Sequence, residues 1–322
     1  MSGRNWNRRE FLGTAVAAGA AIGSGGASRL ARADEPTGQP KAGKIGDFKI
    51  SLAEWSLHNA LFGRKGEKLT NLDFPRVARE RFGVEGVEFV NQFFKDKAHD
   101  SAYLKDLKTR ANDHGVACVL IMIDAEGHLS ARDATERDQA VEGHKKWVDA
   151  AAALGCHSIR VNTGPYYSPT DVKTATDGCG RLAEYAATQG INVICENHGG
   201  PSSNPDALLA LIRSVNKPNF GTLPDFGNFP ATKSGVYEID IYDAIARMMP
   251  FAKGVSAKSY NFKPDGTETR IDFARIMKIV TDAGYHGFVG IEYEGSRLAE
   301  PEGILATKKL LESLRNSEYR PA

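Results

Sequence analysis

Cysteine is scarce in this chain of 322 residues, and the four present, Cys118, Cys156, Cys179 and Cys195, form no CxxC pair. That spacing excludes zinc clusters and dithiol redox sites, which depend on closely paired cysteines. Cys118 and Cys195 fall in apolar, strand-like runs, where cysteine behaves as a small hydrophobe; a Cys156–Cys179 bridge stays open. Charge of one sign is not in excess either, since 41 Lys and Arg face 40 Asp and Glu. A clustered basic surface of the kind that binds nucleic acid is therefore not expected. Beyond the N-terminus no apolar run approaches the ~20 residues that span a bilayer. No GxGxxG follows the first strand-like run, which argues against a dinucleotide-binding doubly wound sheet.

What is present begins with a targeting segment. Arg8-Arg9-Glu10-Phe11-Leu12 is a twin-arginine signature, Gly13 to Ala27 is weakly apolar and rich in Ala and Gly, and Ala31-Arg32-Ala33 is a small-x-small cleavage site. Residues 1–33 read as a signal peptide rather than a membrane anchor, and the mature chain is expected in the periplasm or elsewhere outside the cytoplasm, with no stable membrane insertion. Removing this segment removes five arginines and one glutamate, leaving 36 basic and 39 acidic side chains, a formal −3. Residues 34–46, rich in Pro, Gly and Lys, read as a linker.

From residue 47 to 322 one pattern repeats, a short β-rich run ending in polar residues followed by a helical segment. The runs are Lys49–His58, Val84–Val90, Ala117–Ala125, Ser158–Gly164, Asn192–His198, Phe220–Asn228, Lys253–Ser259 and Phe288–Glu294. Gly83, Gly115, Gly155, Gly190 and Gly284 stand where helices should stop. Strands alternating with helices imply a parallel sheet, and eight such units over this length predict a single-domain α/β fold, the (β/α)8 or TIM barrel.

The active site of such a barrel lies at the C-terminal ends of its strands. Those ends supply Glu54, Trp55 and His58; Glu88 and Asn91; Asp124 and Glu126; Arg160 and Asn162; Glu196, Asn197 and His198; Asp225 and Asn228; Ser256, Lys258 and Ser259; Glu292 and Glu294. Any one of these, Glu126 for instance, has an equal claim to be a rim ion pair. The set as a whole does not, because converging carboxylates repel unless a cation or shared protons relieve them. Glu196, Asp225 and Glu292 are the central group, three hard oxygen donors suited to Mg2+ or Mn2+, or to Zn2+ if an imidazole joins. Alternation along a strand puts Glu196 and His198 on one face, and Ser256 and Lys258 on another. His198 then reaches the same site as metal ligand or as partner of a substrate hydroxyl.

At these residues the chain resembles the xylose-isomerase-like superfamily of sugar phosphate isomerases and epimerases. The resemblance rests on Ile194-Cys195-Glu196-Asn197-His198-Gly199, Pro224-Asp225-Phe226-Gly227-Asn228 and Gly290-Ile291-Glu292-Tyr293-Glu294-Gly295, and runs from about Lys49 to Leu314. It implies a divalent metal held by Glu196, Asp225, a strand-seven residue and Glu292. Strand seven departs from the family pattern, with Ser256 where a histidine is usual and the following Lys258 retained; Asn228 likewise stands where some ketose epimerases carry histidine.

The chemistry so implied is metal-assisted isomerisation or epimerisation of a sugar through an enediolate. Glu196 and Glu292 would exchange the proton and Lys258 would stabilise negative charge on oxygen. His58, Glu88, Arg160, His198 and Asn228 would hold substrate, and Trp55 would offer a face for a sugar ring. An exported protein with no Gly-rich phosphate cradle after strands seven or eight should take a neutral sugar or derivative rather than a sugar phosphate. Two alternatives use the same parts, β-elimination from a 3-keto-glycoside and non-catalytic sugar binding. Assembly into a homo-oligomer stays open.

Overall fold

The computed structural model describes residues 36–321. The expected signal peptide, with Arg8, Arg9 and the cleavage site, lies outside them. Eight strands build the sheet: β1 Lys49–Ala53, β2 Gly86–Val90, β3 Ala117–Ile123, β4 Ser158–Val161, β5 Asn192–Glu196, β6 Phe220–Leu223, β7 Val255–Ser259 and β8 Phe288–Tyr293. The helices that follow them are α1 Phe74–Phe82, α2 Ser101–Asp113, α3 Ala134–Leu154, α4 Lys173–Thr188, α5 Pro205–Val215, α6 Ile241–Met248, α7 Phe273–Asp282 and α8 Glu300–Leu314. Local chemistry sets their limits. Side chains of Asp100, Asp133, Asn204, Asp240 and Asp272 accept from the first free backbone N–H groups of α2, α3, α5, α6 and α7. All five expected glycine stops adopt positive φ, Gly83 and Gly155 as the residues that terminate α1 and α3.

The strands run parallel in the order β6-β5-β4-β3-β2-β1-β8-β7. The remaining seam, β6 to β7, is joined by isolated bridges, Thr222 with Ala252 and Asp225 with Ser256. Pro224 explains the gap in the ladder, since it has no N–H to donate, but its carbonyl accepts from Ser256 N at 3.0 Å. Eight strands with helices outside thus form the expected barrel.

Two sets of buried apolar residues hold it. The larger lies between strands and helices and includes Phe74, Trp147, Leu182, Leu208 and Ile276. The smaller consists of Ala53, Val90, Val119, Leu120, Met122, Ile194 and Leu223, with Phe288 packed against it at one end and Trp55 at the other. No helix among the described residues is long and apolar enough to cross a membrane.

Several boundaries differ from the sequence expectation. β1 ends at Ala53, and Glu54–Leu57 forms a 3-10 turn that leads into the one-turn helix His58–Leu61. β3 stops at Ile123 before Ala125, which takes φ 61°, and β6 stops before Pro224. Part of the expected linker is structured: Gly43–Lys44 pairs antiparallel with Glu318–Tyr319, and Ile45 is fully buried. All four cysteines are free and buried, so the Cys156–Cys179 bridge is not formed.

Glu88 lies inside the barrel. Its carboxylate takes a 2.5 Å hydrogen bond from Ser51 Oγ, and a Cβ on Gly290 would meet that carboxylate, so glycine there leaves the group its present place. Burial pushes the Glu88 carboxyl up from 4.5 to about 8; the Ser51 hydrogen bond opposes this, and repulsion from Glu292 and Glu196 adds to it. Between those two values the unfolded chain binds fewer protons than the folded one. The stabilising contribution of the group is therefore complete below about pH 4.5 and lost as pH rises through about 8, at up to about 1.4 kcal/mol per pH unit. In chelator-treated protein, Glu88→Gln is expected to flatten the fall of Tm between about pH 5 and about pH 8. Equal slopes in wild type and variant would assign that fall to other groups.

Candidate active site

The mouth of the barrel is organised by two asparagines that hold backbone rather than side chain. Asn91, just past β2, accepts from Asp124 N at 3.0 Å and donates to Asp124 O at 2.9 Å. Asn197, just past β5, does the same to Asp225, at 2.8 and 3.0 Å. Each clamp continues the register of neighbouring strands beyond the ladder and fixes where the following carboxylate starts. In the turn after β6, Gly227 N and Asn228 N both donate to Asp225 Oδ1, at 2.8 and 2.7 Å. A Cβ on Gly227 would lie 2.8 Å from Lys258 Cγ, so glycine here gives the lysine its passage.

Glu196, Asp225 and Glu292 converge, each buried and each offering an oxygen within 4.8 Å of the other two. Asn228 Nδ2 donates to Glu196 Oε1 at 2.8 Å. Arg160 Nε lies 2.8 Å from Glu196 Oε2, but its N–H is not aimed along that line, so the contact is an ion pair and the buried oxygen has no hydrogen bond. Ser256 Oγ donates to Asp225 Oδ2 at 2.5 Å and lies 3.4 Å from Glu292 Oε2. Lys258 is the register partner of Glu292 on β8, and its Nζ reaches Glu292 Oε1 at 2.7 Å and Glu294 Oε2 at 3.1 Å. Arg160 also donates to Asp124 Oδ1 at 2.9 Å, joined there by Asn162 at 2.6 Å.

These contacts leave carboxylates in excess of the two fixed cations. Burial, above all, raises Asp225 well above its ordinary value; Lys258 opposes this, while Glu196 and Glu292 add to it. Glu292 is raised in the same way, its own burial outweighing the Lys258 charge beside it. Burial works against the charge on Lys258 and Arg160, yet surrounding carboxylates win and both are held above their ordinary values. Asp124, more open to solvent, is drawn down to about 2: burial pushes it upward, but Arg160 and the Gln92 hydrogen bond outweigh that. The free lone pair of Glu196 Oε2 and the net negative charge of three hard donors fit a divalent cation. Glu196, Asp225 and Glu292 would hold it, with Ser256 Oγ where the usual fourth ligand is absent.

The other residues singled out in the sequence divide into two groups. Trp55, Arg160, His198 and Glu292 line a cavity of about 200 Å3 at the mouth, together with Asp124 and Glu294. Glu88 sits in the barrel interior and Asn228 binds Glu196. His58 lies behind Trp55, stacked on it at 5.0 Å with Nδ1 2.8 Å from Trp55 O, and lines a neighbouring cavity. Glu126 forms a rim ion pair with Lys146 at 2.9 Å and accepts from Trp147 Nε1 at 2.7 Å. Buried Glu54 accepts from Asn71 and from Val90 N, both at 2.8 Å, and ties the turn after β1 to β2. The clamps of Asn91 and Asn197 were not foreseen as such; the signal available was an asparagine at the strand end, one strand before each aspartate.

Comparison with known proteins agrees with this architecture. The inosose dehydratase of Yersinia enterocolitica is 20% identical over 277 residues, covering 79% of this chain and 85% of that protein. The structure of 3-keto-D-glucoside 4-epimerase from E. coli superposes with a TM-score of 0.62 at 15% identity, covering 83% of this chain and all of that one, 100%. A xylose isomerase-like TIM barrel protein from Mycobacterium smegmatis, in complex with magnesium, gives 0.59 at 16% identity, covering 83% of this chain and 96% of that one. A family model matches residues 76–316, and on that match the chain belongs to the xylose isomerase-like TIM barrel family.

Proposed function

We propose that this protein is an isomerase or epimerase of a neutral sugar or sugar derivative, acting by proton transfer at a carbon beside a carbonyl. The observation that carries this reading is the convergence of three buried carboxylates with a lysine paired in register to one of them. Glu196, Asp225 and Glu292 would hold a divalent cation, Mg2+ or Mn2+, or else Zn2+, which would supply Lewis acidity toward a carbonyl. Glu196 and Glu292 come from strands on different sides of the mouth. One removes the proton from carbon and the other returns it, to the opposite face for epimerisation or to the adjacent carbon for isomerisation. Lys258 holds its ammonium beside the developing oxyanion. Arg160 fixes Glu196, while Ser256 and the turn N–H groups fix Asp225. Trp55 and His198 bound the space for the sugar.

Elimination is the second reading, supported by the similarity to an inosose dehydratase. It shares the first proton removal and differs in the fate of the β-substituent, which leaves instead of staying. The magnesium complex of one similar barrel and the epimerase identity of another support the metal and the sugar substrate. Export by the twin-arginine route is part of the proposal and rests on Arg8-Arg9 and Ala31-Arg32-Ala33.

Glu196→Gln and Asp225→Asn are each expected to abolish retention of a stoichiometric divalent metal, measured by mass spectrometry of the metals; full retention in both would place the metal elsewhere. Lys258→Met, which keeps most of the side-chain volume, should lower kcat ~10²–10³-fold with a much smaller change in KM. Unchanged turnover would leave Lys258 as a structural partner of Glu292. Incubation in D2O separates the two reaction classes, since epimerisation places solvent deuterium on carbon and elimination yields an unsaturated product. Replacing Arg8 and Arg9 together by lysine should hold the precursor in the cytoplasm, and normal export of that variant would rule out the twin-arginine route.

A further inference from the structure

Lys258 is shared between two carboxylates that are not equivalent. Its Nζ lies 2.7 Å from Glu292 Oε1 and 3.1 Å from Glu294 Oε2. Glu292 belongs to the converging triad, so in the metal reading the ammonium sits on an oxygen of a metal ligand. Glu294 stands outside the triad, two residues further along the chain. Its side chain keeps 31% exposure where it lines the mouth, against 1% for Lys258. The buried ammonium thus has one partner within the triad and one on the wall of the mouth.

Glu294 is held from two sides. Its backbone N donates to Ser259 O at 2.9 Å, which carries the pairing of β7 and β8 one residue beyond the strand. Trp55 Nε1 donates to Glu294 Oε1 at 2.5 Å and leaves Oε2 to the lysine. The indole is itself braced, stacked on His58 at 5.0 Å and edge-on to Phe62 at 6.3 Å. With one oxygen engaged by a neutral donor and the other by the ammonium, Glu294 is arranged to hold a charge. The demand for such a partner follows from competition. An ammonium and a divalent cation at one carboxylate repel each other, and charges interact more strongly in a buried site than in water. A buried ammonium left without any partner is strongly disfavoured. If Lys258 had Glu292 alone, its whole attraction would fall on that carboxylate and would oppose metal binding there.

Resting on the metal reading of the triad, we propose that Glu294 is a positioning residue for Lys258: it seats the ammonium at the wall of the mouth, so that Glu292 is free to act as a ligand, and the indole N–H of Trp55 holds Glu294 in that role. Glu294 acts through the lysine, not as a ligand or a base. The arrangement separates the positive charge that the reaction needs beside an oxyanion from the carboxylate that the metal needs. Without Glu294 both demands fall on Glu292.

The test is a double-mutant cycle read by calorimetric titration of Mn2+ into the chelator-treated protein at fixed pH. Glu294→Gln keeps the size of the side chain and an oxygen for Trp55 but removes the charge, and it should weaken Mn2+ binding roughly 10-fold. Lys258→Met should tighten binding. In the Lys258→Met background Glu294→Gln should change affinity by less than about twofold, because the competing ammonium is gone. Trp55→Phe, which removes the N–H and keeps a ring, is the second probe. It should weaken Mn2+ binding when Lys258 is present and leave it within about twofold when Lys258 is replaced. Thermal unfolding of the chelator-treated variants separates loss of fold from loss of affinity. An equal loss from Glu294→Gln with and without Lys258 would make Glu294 a plain negative charge near the cation, and full affinity in Glu294→Gln would leave it no part in metal binding. Either result overturns the positioning role while the metal reading stands. If the wild-type protein takes up no Mn2+, the metal reading fails and the proposal falls with it.

Discussion

The constraint on which the rest of this molecule depends is the compensation of buried charge at the barrel mouth. Glu196, Asp225 and Glu292 are all nearly removed from solvent, and so are Arg160 and Lys258. Ionised groups in that environment are tolerated only when paired and hydrogen-bonded. Arg160 answers Glu196 and Asp124; Lys258 answers Glu292 and Glu294; Asp225 receives a hydroxyl and two backbone N–H groups. Even so the negative groups exceed the positive ones; burial first, and then the neighbouring carboxylates, raise Asp225 and Glu292 above their ordinary values. The same imbalance makes the mouth receptive to a cation and to a proton, the two species that the proposed chemistry requires.

Lys258 pairs with Glu292 and Glu294 at the end of the neighbouring strand, while Ser256, two residues earlier, meets Asp225. A histidine at position 256 would occupy the space in which the serine hydroxyl now meets Asp225. The serine offers no imidazole nitrogen and instead donates its hydroxyl to Asp225. The lysine, two residues on along the same face of β7, becomes the principal fixed positive charge on that side. Cation and ammonium are thus two ways of meeting one demand.

Much of this was legible in the sequence. Eight apolar runs separated by helical segments, and acidic residues at the ends of runs five, six and eight, are enough to place Glu196, Asp225 and Glu292 at one rim. The pairing of Ser256 and Lys258 on one face of β7 follows from the period of two. What was not legible depends on where a strand stops. Lys49–His58 reads as one run in the sequence, but the chain leaves the sheet at Ala53, so Trp55 sits in a 3-10 turn and His58 opens the short helix after it, behind the indole. Glu88 has its room inside the barrel beside Gly290, two strands away on β8, a relation between positions 202 residues apart that no local pattern reveals. The two asparagine clamps act through side chain to backbone contacts across strands, and composition does not distinguish such an asparagine from one on a surface loop.

The short ribbon of Gly43–Lys44 with Glu318–Tyr319 has a consequence for the connectivity of the whole barrel. It brings the two ends of the described chain side by side, next to a seam between β1 and β8 that is already continuous. Between Gly43 and Tyr319 the described polypeptide is almost a ring. A circularly permuted gene that joined these ends and opened the chain in the exposed turn at Asp265–Gly266 would preserve every strand pair and every residue of the mouth.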